Sequence, residues 1–240
     1  MTGALPAGYV RVVAGRYDVV TLEAHEPDAR ALLAEGSLYE AAARDLGARP
    51  LAGRGIAYAI TLPVSGAHAV VRHNRHGGLL APITRDLFFP PTRAPRELAT
   101  ALRLAAAAIA TPTLLMYGVA RHALLFRRAD VMTRAVDHAR DLADFMRPGE
   151  PAAARADAWR ATRALVAALD AAGAWHQDLN VKNVLLAPHA GALAAWVLDV
   201  DRVTFTDRAT AGRRNRARLL RSAHKWRRER GGEFEEGADY

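Results

Sequence analysis

An aspartate and an asparagine five positions apart open the chain's most informative stretch. It reads His176-Gln177-Asp178-Leu179-Asn180-Val181-Lys182-Asn183 and runs on into the apolar Val184-Leu185-Leu186. Val197-Leu198-Asp199-Val200-Asp201 follows, about 16 residues from Asn183 to Asp199. Transfer of a phosphoryl group needs three things: an oriented attacking hydroxyl, a held magnesium ion, and neutralised charge on the moving group. Asp178 is placed to accept the hydroxyl's proton. Asn183 offers a neutral amide oxygen suited to Mg²⁺, and a hairpin after it would return Asp199 to the same ion. Each residue alone reads as a turn cap or a strand-end charge. Their joint spacing is what points to chemistry.

The elements that must position these residues follow from periodicity. The loop His176–Asn183 lies between Gly173, a natural helix C-cap, and the strand Val184–Ala187; Ala195–Leu198 is the next strand. Helices are predicted over 137–146 and 151–172, divided by Pro148-Gly149, and over a basic segment from Arg213. Earlier in the chain, Tyr9–Leu22 holds short β-favouring runs. Glu35–Leu46 reads as a helix with Leu38, Ala42 and Leu46 on one stripe. Ile56–Leu62 and Ala69–Arg72 read as a hairpin. Arg93–Ala110 reads as a helix ended by Thr111-Pro112, with strand-like segments at Leu114–Val119 and Ala123–Phe126. Strands with one helix come first and mainly helices afterwards. That order implies an α+β chain of two lobes, residues 1–130 and 131–240, with a hinge near Asp130–Thr133.

The chain has 240 residues, about half hydrophobic, enough to bury a sizeable core. It has no cysteine, which excludes disulfides and cysteine-held zinc or iron–sulfur centres and suits a reducing compartment. Met1–Tyr9 lacks the pattern of a signal peptide, and no apolar run is long enough to span a bilayer. The formal charge of +8 favours a polyanionic partner, although arginine-rich composition also arises without one. Nine basic residues between Arg213 and Arg230 face one acid, Glu229. They read either as a solvated helix face or as contacts to anionic lipid. No zinc, helix-turn-helix or RNA-binding signature accompanies them, so nucleic acid is not expected.

The first half supplies weaker partners for the site. Arg72 ends Val70-Val71-Arg72 and suits a bidentate phosphate contact, and Glu97 on the following helix is placed to hold it. Gly53-Arg54-Gly55 offers bare backbone for phosphates, or a simple turn. Arg75-His76-Gly77-Gly78 reads as a basic loop for an anionic substrate, or as an exposed one.

Together these residues resemble the Kdo kinase branch of the lipopolysaccharide kinase family, within the protein-kinase-like superfamily. The resemblance covers roughly Gly53 to Lys225. It rests on Gly53-Arg54-Gly55, Val71-Arg72-His73-Asn74-Arg75-His76-Gly77-Gly78-Leu79, Arg96-Glu97 and Arg128-Ala129-Asp130-Val131-Met132-Thr133 at the hinge. His176–Leu186, Leu198-Asp199-Val200-Asp201-Arg202 and Asn215-Arg216-Ala217-Arg218-Leu219-Leu220-Arg221-Ser222 complete it. What the resemblance implies is a two-lobed kinase fold, with a small β-rich N-lobe carrying one main helix and a mainly helical C-lobe. It implies transfer from ATP, with Mg²⁺, to a hydroxyl of 3-deoxy-D-manno-octulosonic acid (Kdo) on lipid A. By position, Asp178 would be the general base, Asn183 and Asp199 the metal ligands, and Arg72, Glu97, Gly53, Arg54 and Gly55 the nucleotide site. Asp201, Lys182 and Arg75 are further candidates. An anionic membrane surface would be a partner, peripherally on the cytoplasmic face of the inner membrane, with no obligate protein partner. Gln177 stands where regulated protein kinases have arginine, and no Ala-Pro-Glu follows Asp199, so their mode of regulation is not expected. His76 and Asn74 depart from the arginine and tyrosine of the family's basic loop. Two other readings remain open: a phosphotransferase acting on a heptose or aminoglycoside, and an inactive kinase-fold binding module.

Overall fold

Neighbouring residues in an extended chain face opposite ways. Val19 and Val20, Met116 and Tyr117, and Val131 and Met132 are all buried, so the sheet that contains them carries two apolar faces. The computed structural model describes residues 4–51, 56–73, 92–122 and 126–234. It groups the chain into two units, Met1–Leu98 with Thr113–Ala135, and Ala99–Pro112 with Val136–Tyr240. The sequence division at residue 130 treats Ala99–Pro112 as part of the first lobe, whereas here they belong to the second unit.

The first unit is built on seven strands: β1 (Tyr9–Ala14), β2 (Tyr17–Leu22), β3 (Arg49–Leu51), β4 (Ala57–Thr61), β5 (His68–His73), β6 (Leu114–His122) and β7 (Phe126–Arg134). Their order is β1-β2-β6-β7-β5-β4-β3, antiparallel throughout. Helices α1 (Glu26–Ala34) and α2 (Leu38–Arg44) cover one face, burying Leu32, Leu33, Leu38 and Ala42 with Val19, Val71, Met116 and Met132. On the other face, Ala94 and Leu98, from the first turns of α3 (Ala94–Ala106), pack with Val20, Tyr117 and Val131.

Three expectations change here. Asp130–Thr133 is not a hinge but part of β7, whose Val131 and Met132 fill the two cores. The helix expected to Leu46 ends at Arg44, leaving Leu46 fully exposed. Helix α1 was not foreseen; it opens with Pro27 in its first turn, where the missing N–H costs nothing.

In the second unit a long helix, α5 (Ala152–Ala171), and the C-terminal α6 (Arg208–Arg230) flank two small sheets. One runs β11 (Ala192–Val197), β10 (Val184–His189), β8 (Arg140–Asp141); the other pairs β12 (Val203–Phe205) with β9 (Ala174–His176). The helix expected over 137–146 shrinks to α4 (Leu142–Phe145), because Arg140 and Asp141 pair with β10 and Asp141 caps the turn through the Asp144 N–H. Leu104 and Ile109 join Leu169, Leu179, Val197 and Leu219 in this unit's core. Gly173 joins α5 to β9 with a positive φ of 65°, and a Cβ there would lie 2.2 Å from the Thr206 carbonyl oxygen. The Thr206 N–H donates back to the Gly173 carbonyl at 2.8 Å. No other residue fits this corner.

Candidate active site

The segment from Gln177 to Asn183 has no regular structure, so its backbone groups need other partners. His176, fully buried at the end of β9, supplies the first. Its Nδ1 accepts the Asp178 N–H at 3.1 Å, which fixes the proton on Nε2, and Nε2 donates to the Leu198 carbonyl at 2.8 Å. One imidazole thus joins the loop to the strand end that precedes Asp199. Burial lowers the His176 pKa. The Leu198 carbonyl and the charges of Asp199, Asp178 and Asp201 pull the other way, so all three carboxylates lie within electrostatic reach of one ring.

The Asp178 carbonyl accepts from Asn180 Nδ2 at 2.8 Å and Asn183 Nδ2 at 2.9 Å. A carbonyl can only accept, so the buried Asn183 must turn its NH₂ inward, which leaves Oδ1 as the acceptor aimed elsewhere. The Lys182 N–H donates to Asn180 Oδ1, and the Leu198 N–H to the Asn183 carbonyl. Asp199 follows in the left-handed region, φ 54° and ψ 47°. For a residue other than glycine this costs about 1 kcal/mol or more, less for aspartate than for bulky types. Oxygen donors of this kind, an amide and a carboxylate, fit Mg²⁺, which keeps waters and takes few protein ligands. Among the described residues no group of three His, Cys, Asp or Glu side chains forms a ready-made metal cage.

The remaining sequence candidates divide. Arg72, at the end of β5, forms an ion pair with Glu97, whose side chain is buried on α3. Lys182 turns to Asp141, at 2.8 Å, and lies over the Trp226 ring. Burial raises the Asp141 pKa against the pull of that ammonium. Asp201 sits 3.9 Å from the Arg202 Nε at its closest to that guanidinium. Gly53, Arg54, Gly55 and Arg75 lie outside the described residues.

Sequence reasoning missed the face of α6 that holds the loop. Asn215, fully buried, accepts the His176 N–H at 3.0 Å and donates to the Asp170 carboxylate and the Ala174 carbonyl, each at 2.9 Å. Arg218, one turn on, pairs with the Asp178 carboxylate. Ser222 Oγ accepts the Val181 N–H at 3.2 Å. Polar residues at positions 215, 218 and 222 line the edge of the stripe that buries Leu219 and Ala223. A polar group on a burying stripe was the available signal.

The lipopolysaccharide kinase (Kdo/WaaP) family matches residues 48–236. A 3-deoxy-D-manno-octulosonic acid kinase of Stenotrophomonas maltophilia (strain R551-3) is 36% identical over 76% of this chain and 72% of its own. One from Actinobacillus succinogenes is 32% identical over 77% and 78%. Among solved structures, WaaP in complex with acyl carrier protein aligns with a TM-score of 0.51 at 19% identity, covering 82% of this chain and 79% of that one. A Rio2 kinase complex with ADP and Mg²⁺ from Chaetomium thermophilum aligns at 0.50 and 17%, covering 98% and 69%. The fold is kinase-like and α+β.

Proposed function

The chain belongs to the lipopolysaccharide kinase (Kdo/WaaP) family, and from that premise we propose that it moves the γ-phosphoryl group of ATP to a Kdo hydroxyl on a lipid A glycolipid. It is an ATP-dependent kinase of lipopolysaccharide core biosynthesis. The observation that carries the reading is the loop built around His176, which fixes Asp178 and Asn183 and ties them to the strand end before Asp199.

Asp178 is the general base that takes the proton of the attacking hydroxyl. Its Oδ1 is held by Arg218, and among the described residues Oδ2 has no hydrogen-bond partner, which leaves that oxygen for the hydroxyl. Asn183 Oδ1 and the Asp199 carboxylate would hold Mg²⁺, which would supply charge to offset the triphosphate. Arg72 contacts phosphate oxygens, and Glu97 keeps its guanidinium in one orientation. No helix among the described residues is long and apolar enough to cross a membrane. Arg214, Arg221, Lys225 and Arg228 form an exposed basic stripe on α6 that would rest against the anionic glycolipid surface, each contributing about 1 kcal/mol. With that contact the enzyme would work peripherally, on the cytoplasmic face of the inner membrane.

The test is transfer of radiolabelled phosphate to Kdo–lipid A in vesicles, with heptosylated core and aminoglycosides as comparison acceptors. Only Kdo–lipid A should be labelled, with a KM that rises with salt as the stripe is screened. Asp178→Asn should cut kcat by about 10³-fold while the thermal shift on Mg-ATP persists. Full turnover by that variant would remove Asp178 from its role.

A further inference from the structure

Arg218 carries more charge and more donors than the support of a loop requires. We propose that it reads a carboxylate on the acceptor, and so selects a sugar acid over a neutral sugar. The inference rests on the Kdo reading above, since that acceptor is an acid.

Three observations converge on it. Arg218 is placed as firmly as the loop itself, because Asn215 and Ser222 on either side of it bond the backbone of His176 and Val181. Its bond to Asp178 uses one Nη2 of a guanidinium that has five N–H donors. The side chain is 41% exposed, while its Nε lies buried without a hydrogen-bond partner. A guanidinium in this state can still take a planar, bidentate anion.

Electrostatics then supplies the reason. The charges of Asp178, Asp199 and Asp201 all act on His176. An acceptor bearing its own carboxylate is repelled by that group unless a cation meets it. Among the described residues two cations contact the loop's side chains or belong to them, Arg218 and Lys182, and Lys182 is committed to Asp141 and the Trp226 ring. Arg218 remains. A hydroxyl on Asp178 Oδ2 brings the rest of the sugar ring alongside the cation that holds Oδ1.

The experiment compares Kdo–lipid A with the same acceptor whose Kdo carboxylate has been converted to the primary amide. The wild type, Arg218→Gln and Arg218→Lys are assayed on both. The wild type should prefer the acid by about 10- to 100-fold in kcat/KM, the range of a charge-assisted hydrogen bond. Arg218→Gln should lose that preference, chiefly through the KM of the acid, with the KM for ATP unchanged. Arg218→Lys, which keeps the charge without the fork, should fall between. The assignment is overturned if the wild type uses acid and amide alike. It is also overturned if Arg218→Gln slows both acceptors equally and keeps the preference, because the arginine then only orients Asp178. Should Arg218→Gln fail to fold, the Arg218→Lys variant and the wild-type ratio decide. A wild type that labels neither Kdo acceptor, but labels heptosylated core, overturns the proposed function and this inference with it; activity on Kdo without acid preference overturns this inference alone.

Discussion

Buried polar side chains serve opposite purposes in the two units. In the first they mostly tie one regular element to another, with Asp28 holding a single turn as well. Arg72 of β5 binds Glu97 of α3, His73 of β5 binds Asp130 of β7, and Asp28 of α1 accepts the Val64 and Ser65 N–H groups in the β4–β5 turn. The backbone there is already fixed by ladder pairing, with Arg72 opposite Ala57 and Val131. In the second unit the polar groups stand in for a ladder. His176, Asn180, Asn183, Asn215 and Ser222 take up backbone groups that no strand or helix satisfies. Losing a polar group should therefore displace a side chain in the first unit and a stretch of backbone in the second.

The strongest way to break this contrast is Asn215→Ala. It orphans the His176 N–H and the Ala174 carbonyl in a fully buried place, so unfolding free energy should fall by about 3 kcal/mol. Denaturant melts should show that loss, and kcat should fall with it; unaltered turnover would mean the loop does not lean on α6. Glu97→Gln should do less. The amide still accepts from Arg72 but drops the charge, so a loss of about 1 to 2 kcal/mol is expected, with a raised KM for ATP and a nearly constant kcat. A melt as damaged as that of Asn215→Ala would erase the distinction.

The smallest effect concerns pH. An unfolded His176 takes up a proton near its ordinary value of 6.5, while the buried ring resists until lower pH. Between those points unfolding binds a proton. Stability is therefore complete above about 6.5 and declines as pH falls towards the folded-state value, by at most about 1.4 kcal/mol per pH unit. His176→Gln should flatten that slope in melts run from pH 7 to pH 5. An unchanged slope would show that the ring is not held neutral.

What could be read from the sequence was whatever is written locally. The hairpin of β4 and β5 follows from alternation around a turn with Gly66 at a φ of 68°. Asp178, Asn183 and Asp199 are legible because one loop and one hairpin set their spacing. Asp130 was set at a hinge from the order of elements, whereas its burial goes with His73 and Tyr39, partners far away along the chain. The parts played by Asn215, Arg218 and Ser222 stayed hidden for the same reason, since their partners lie about forty residues away along the chain.

That separation has a consequence for synthesis. The loop backbone at Val181 leaves the ribosome forty-one residues before the hydroxyl that receives it. At about 5–20 residues per second the interval is several seconds. By the end of it Asp178, Asn183 and Asp199 have all been made, while the helix face that shapes the loop is still being added. A nascent chain halted before Asn215 therefore carries the loop without the contacts from Asn215, Arg218 and Ser222 that hold it.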